Sequence, residues 1–164
     1  MRALLAVLML ATPAAAQDLV FSPQQTEACL ATAADFDARR ACIGLSAEQC
    51  MAKTPGGYST VGMTGCAALE LDYWDARLNT VYGRMMSEAR QMDAENKQYG
   101  GYAPSQADAL RAMQRAWIPF RDTKCDYARS LWGGGTGAGP AGVSCLLHTT
   151  ADQVLYLQAS GLGD

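Results

Sequence analysis

Six cysteines, a single histidine and a few closely spaced carboxylates are the residues of this 164-residue chain with chemistry to offer. A thiolate can attack a carbonyl, hold a metal or pair with another sulfur. Zinc would need ligands at short spacing, but the sequence has no C-x-x-C, and His148 has no neighbour at ligand distance along the chain. Asp72 and Asp75 share a helical face three residues apart, which solvated helices carry routinely. Acid–base work asks for a carboxylate pair in contrasting surroundings, or a His beside a nucleophile. The run Gly133–Gly142 lacks the Gly-Lys-Ser/Thr that grips phosphate, and it follows a helical pattern instead of a strand. The expectation is therefore no catalytic residue, no cofactor and no metal, with Cys29, Cys42, Cys50, Cys66, Cys125 and Cys145 oxidised in pairs.

The N-terminus says where such pairs would form. Met1-Arg2 is followed by an apolar run, Ala3 to Ala11, then Pro13 and the small residues Ala14-Ala15-Ala16. That is the order of a cleavable secretory signal over residues 1–16, with cleavage after Ala16. The run is about half the ~20 residues that a membrane span requires. The mature chain, 17–164, is thus expected in the periplasm or medium as one domain, without membrane insertion. Without Arg2 it carries 12 Lys and Arg against 16 Asp and Glu, a net charge of about −4. With no basic cluster beyond Arg39-Arg40, this balance argues against nucleic acid and suits a basic protein partner.

An even cysteine count after a signal reads as a disulfide framework, although six cysteines allow 15 pairings. The pairs expected first are Cys125–Cys145, which would tie off the glycine run, then Cys50–Cys66 and Cys29–Cys42. The last requires a chain break, because in one continuous helix these residues would stand ~20 Å apart.

The elements that must position these residues read as helical throughout. An N-terminal helical hairpin is expected over 17–53. Its first helix starts at Ser22-Pro23, the turn lies at Ala34–Phe36, and Asp35 or Asp37 caps a second helix to about Lys53. A loop over 54–62 leads to a core over 64–160. There, Thr64 caps a long helix with an apolar stripe at Leu71, Leu78, Met85 and Met92, ending near Asn96. Ser105, with Asp108 at the third helical position, caps its partner. Pro119 lies inside that partner and is expected to kink it near Arg115-Ala116. Thr150 and Gln153 read as the capping box of a short last helix. Two long amphipathic helices on a short connection pack antiparallel. The fold class is all-α: a small disulfide-stapled domain built on that long helix pair.

Two tracts hold the densest pattern. In Trp74-Asp75-Ala-Arg77-Leu78-Asn79-Thr-Val-Tyr82, Asp75 and Asn79 share one face, as do Leu78 and Tyr82. In Gln114-Arg115-Ala-Trp117-Ile-Pro-Phe-Arg121-Asp122, Gln114, Trp117 and Arg121 share another. In an antiparallel pair, Arg121 or Gln114 reaches Asp75 or Asn79, and such a charged contact between tryptophans sets helix register more than stability.

With Cys66, Cys125, the Gly134-Gly135-Thr136 turn, Cys145 and Thr150, these tracts resemble the LprI-like family of periplasmic and secreted proteins over about residues 50–157. Its pattern runs Cys, D-x-x-L-N-x-x-Y, Q-x-x-W-x-x-x-R-D-x-x-C, G-G-[ST], Cys, Thr. The sequence departs from it where Gln153 replaces the usual Arg, where Pro119 enters the second tract, and in its additional Cys29/Cys42 segment. The resemblance implies a helical, disulfide-bonded fold and a protein partner, since the family is named for a mycobacterial member that inhibits lysozyme. It implies a binding or inhibitory protein whose target is a basic glycoside hydrolase, blocked sterically through the Gly133–Gly142 loop or through Tyr99 and Tyr102. An envelope scaffold without inhibitory activity is the alternative, and a cell-wall enzyme a more distant one.

Overall fold

The computed structural model describes residues 18–100 and 102–160, so the expected signal segment lies outside the described residues. Among them the secondary structure is entirely helical. The helices are α1 (Gln24–Thr32), α2 (Phe36–Arg40), α3 (Leu45–Lys53), α4 (Thr60–Gln98), α5 (Gln106–Ser130) and α6 (Ala138–Ser160). Three long helices form the body. α4 runs one way, α5 returns antiparallel to it, and α6 lies alongside α4 in the same direction. The antiparallel register of α4 and α5 is visible in the Arg121–Asp75 ion pair at mid-length and in Asp93 meeting Ser105 at the turn. α1 and α3 pack at the start of α4, and α2 lies against the second half of α6, where Arg40 pairs with Asp152 and Arg39 donates to Gln158.

The three sulfur pairs are those expected from the sequence. Cys29–Cys42 clasps α1 to the turn after α2, Cys50–Cys66 joins α3 to α4, and Cys125–Cys145 joins α5 to α6. Each closes a loop of 13 to 20 residues, long enough to remove substantial entropy from the unfolded chain. Cys42 and Cys66 are fully buried, and the apolar core is formed by Trp74, Leu78, Val81, Leu147, Val154, Leu155 and Leu157 with their neighbours.

Several expected boundaries move, each for a packing reason. The second N-terminal helix does not run unbroken to Lys53. It divides at Gly44, whose φ of 93° only glycine adopts at low cost, giving separate α2 and α3. Asp35 does cap α2, accepting from the Ala38 amide at 2.8 Å. The long helix starts at Thr60, capped by Ser59, whose hydroxyl accepts from the Gly62 amide; Thr64, the expected cap, lies inside the helix and donates to the Thr60 carbonyl. Position 62 requires glycine because the Gly56-Gly57 turn lies against it so closely that a Cβ there would strike the Gly57 backbone. The last helix is 23 residues long and begins at Ala138, so the short helix expected from Thr150 is corrected. Thr150 is a fully buried mid-helix residue. The glycine run is thus only half a loop. A Cβ on Gly139 would crowd the Thr64 hydroxyl, and one on Gly142 would stand 2.7 Å from the Arg129 guanidinium. These glycines let α6 approach α4 and α5. α5 runs through Pro119 without ending, although the proline removes one backbone donor from it.

Candidate functional site

The tract residues occupy the seam between α4 and α5, and their roles separate by burial. Trp74 is completely enclosed, with Tyr73 edge-on to it and the Arg77 guanidinium 5.9 Å from its ring centre. Leu78 is buried beside it. Trp117 is only partly buried, and the Arg121 guanidinium lies over its face at 5.1 Å. Arg121 contacts Asp75 at 3.6 Å and Asp122 at 2.9 Å. The charged cluster expected from the antiparallel pairing is thus present, with Arg121 stacked on one tryptophan and paired with two carboxylates. Its partners are half exposed, so it fixes register and adds little stability.

One turn further along, Asn79 and Tyr82 of α4 face Arg111, Gln114, Arg115 and Ile118 of α5 across a groove of about 390 Å³. Gln114 also reaches the third helix, since the Gln153 amide donates to its oxygen at 3.0 Å. Gln153 therefore holds α6 to α5 in the interior instead of capping a helix, and Thr150 takes no part in a cap either. Its buried hydroxyl has no hydrogen-bond partner among the described residues.

The most constrained polar group was not among the residues expected from the sequence. Glu70 is fully buried and collects four donors from three helices. Its Oε1 accepts from the Thr26 hydroxyl at 3.0 Å, the Gly44 amide at 2.8 Å and the Trp74 indole at 3.2 Å; Oε2 accepts from the Ala47 amide at 2.6 Å. Thr26 and Ser46 add a reciprocal pair, each hydroxyl accepting from the other's amide. Glu70 thus caps α3 from a different helix, where the local cap residue, Gly44, has no side chain to offer. The available signal was its spacing. Glu70 stands four residues from both Cys66 and Trp74, on the face that the core takes up.

The bundle's two ends differ. At the end where α4 and α6 begin, Trp132, Thr136 and Gly137 close a turn in which the Trp132 ring lies directly on Gly137. With Met51, Met63, Leu147 and His148 they line an apolar cleft of about 720 Å³. Gly134 and Gly135 form the exposed part of this turn. At the other end, Tyr99 and Tyr102 project from the connection between α4 and α5, at 85% and 103% relative exposure. The base of that connection is held by Asp93, which accepts from the Ser105 hydroxyl at 2.6 Å and from the Gln106 and Ala107 amides at 2.7 and 3.1 Å. These bonds, the Ser105 hydroxyl foremost, hold the Asp93 carboxyl below its ordinary value. Among the described residues no three His, Cys, Asp or Glu side chains gather as a metal site would require, and no helix is long and apolar enough to cross a membrane.

A curated relative, the "Uncharacterized 17.7 kDa protein in puhA 5'region" of Rhodobacter capsulatus, is 30% identical over 158 residues, 96% of this chain and 94% of that protein. No solved structure matches the chain. The family model described as "Lysozyme inhibitor LprI" matches residues 50–157, the span that holds Cys50–Cys66, the α4–α5 seam, the Trp132–Gly137 turn and most of α6. The chain belongs to the LprI family.

Proposed function

We propose that this protein is exported to the periplasm or medium, where it inhibits a basic, lysozyme-type glycoside hydrolase by blocking its substrate cleft. The observation that carries the reading is the tyrosine tip. A cleft is blocked best by a narrow projection on a rigid base, and Tyr99 and Tyr102 stand clear of the bundle above a connection that Asp93 pins by three hydrogen bonds. Tyrosine brings contact area at small entropic cost. The Gly133–Gly142 segment fits the role less well, since its second half is helix and Trp132 is folded onto the first. The acidic balance of the chain favours encounter with a cationic enzyme. Family membership supplies the target class. No residue is assigned to catalysis.

The test is a cell-wall turbidity assay with the purified mature chain. Lysozyme clearance slows in proportion to added protein, and the Tyr99→Ala/Tyr102→Ala pair raises the half-inhibitory concentration about tenfold or more with an unchanged melting curve. No slowing at tens of micromolar refutes the reading. N-terminal sequencing of protein recovered from the envelope tests export, with Gln17 as the expected first residue.

One observation favours the second reading, an adaptor without inhibitory activity. Phe120, Tyr127 and Leu131 form an exposed apolar line along α5 that continues to Trp132. It predicts capture of a single envelope protein that is lost on Tyr127→Ser/Leu131→Ser, with no effect on lysozyme.

A further inference from the structure

Packing accounts for Trp74, Leu78 and Trp117, and register accounts for Asp75 and Arg121. The Tyr82 ring packs on the core and Gln114 joins α5 to α6, which leaves the Asn79 amide, the Tyr82 hydroxyl and the Gln114 amide hydrogens; these meet in the 390 Å³ groove with Arg111, Arg115 and Ile118. Its volume falls in the range of small-molecule sites. No carboxylate lines it. Arg111 is already engaged by Asp108 at 2.6 Å, whereas Arg115 makes no ion pair, and the Asn79 amide and Tyr82 hydroxyl make no hydrogen bond, among the described residues. Gln114 gives its oxygen to Gln153 and keeps its amide hydrogens to donate. The groove therefore offers one unpaired planar cation, a second guanidinium with hydrogens to spare, two groups that both donate and accept, and an apolar floor from Ile118 and the Tyr82 ring.

We propose that this groove binds a carboxylate-bearing saccharide of one or two rings. A guanidinium fork matches a carboxylate. An amide and a phenol match sugar hydroxyls, which need a donor and an acceptor together. A bare inorganic anion would satisfy Arg115 and leave Asn79 and Tyr82 idle, and a neutral sugar would leave Arg115 idle. Both parts of the groove are used only by a ligand that carries both groups. The site lies at mid-length on the bundle, away from the tyrosine tip, so it stands or falls independently of lysozyme inhibition.

Amide-resolved NMR titration of the mature chain at low salt, with glucuronate, glucose and inorganic phosphate as probes, decides the matter. Glucuronate is expected to saturate at millimolar concentration, with shifts confined to residues 75–82 and 111–118, at least tenfold tighter than glucose or phosphate. Arg115→Gln is expected to abolish the preference for glucuronate over glucose, and Asn79→Ala to weaken both sugars. Arg115 and Asn79 are exposed, so neither change should disturb folding, and an unchanged spectrum elsewhere verifies that. Phosphate binding as tightly as glucuronate would show an unspecific cationic patch and overturn the proposal. Equal affinity for glucose and glucuronate, or no shifts at tens of millimolar, would overturn it too.

Discussion

Replacing Glu70 by glutamine tests how much of this fold hangs on one buried carboxylate. The substitution keeps size and shape and removes one acceptor oxygen. If the amide oxygen stays at the Oε1 position, it retains Thr26, Gly44 and Trp74, but its NH2 then faces the Ala47 amide, a donor that now stands 2.6 Å from Oε2. If the amide flips, Ala47 is satisfied while the Gly44 and Trp74 donors face an NH2 group. Either way at least one hydrogen bond to a carboxylate, worth about 1.5–3 kcal/mol, is lost, and a buried N–H is orphaned at about 1–3 kcal/mol. The two overlap, so the expected loss is about 3 kcal/mol, roughly 6–12 °C in melting temperature for a chain of this size. The loss belongs to α3 and to the start of α1, because Glu70 is what caps the one and ties down the other. Thermal unfolding followed by far-ultraviolet circular dichroism, with the disulfides kept oxidised, gives the number. A shift below about 2 °C would mean that water satisfies these donors, and the account of Glu70 as a sealed junction would be refuted.

Other consequences follow from the same geometry. Trp74→Ala should cost about 3–5 kcal/mol in denaturant unfolding, and Trp117→Ala clearly less, since its ring is partly exposed; equal losses would contradict the burial pattern. Removing the Cys125–Cys145 bridge as a double alanine variant should cost ~3 kcal/mol by loop entropy, and a loss under about 1 kcal/mol would show that the glycine run is already constrained without it. Asp93 has a depressed folded-state pKa, so its contribution is complete above the unfolded value and fades as pH falls through the folded one. The tyrosine tip should therefore stay anchored at pH 5 and loosen only in acid below the ordinary carboxyl value of 3.8. Hydrogen exchange at the Gln106 and Ala107 amides reads this directly, and fast exchange at pH 5 would dispose of the anchor.

What the sequence revealed depended on whether a residue's partner is local or distant. The Ser105 and Asp35 caps were legible because a cap is satisfied three residues away. The Cys29–Cys42 pairing and a chain break between the two residues were expected only together, because an intact helix forbids the bridge, and both are present. The α4–α5 register was legible in part, since Arg121 or Gln114 was expected to reach Asp75 or Asn79, and Arg121 meets Asp75. The glycine run failed for the converse reason. Glycine serves a loop through backbone freedom and a helix contact through its missing Cβ, and composition does not separate the two uses. At Gly139 and Gly142 the second applies, since a Cβ would stand 3.3 Å from the Thr64 hydroxyl and 2.7 Å from the Arg129 guanidinium.

Glu70 and the apolar stripe of α4 illustrate a further limit. A strict seven-residue repeat put Leu71, Leu78, Met85 and Met92 at the centre of the buried face, yet Met92 is 36% exposed while Cys66, Ala67, Glu70, Trp74, Leu78 and Val81 are buried. Near the start of α4, two neighbours, α3 and α6, pack against it, and they turn the covered face toward the arc from Cys66 to Trp74. A carboxylate on that arc must find donors or leave the core. It finds them because the chain breaks at Gly44 and opens α3's first amides toward it. The break at Gly44 and the acid at Glu70 are therefore one feature, distributed over 26 residues of sequence. Replacing Gly44 by alanine should damage the same junction from its other side. Because the two share it, the Gly44→Ala/Glu70→Gln double variant should lose less than the two single losses combined. Strict additivity would separate the backbone strain at Gly44 from the carboxylate junction, and the cap would then be incidental to the break.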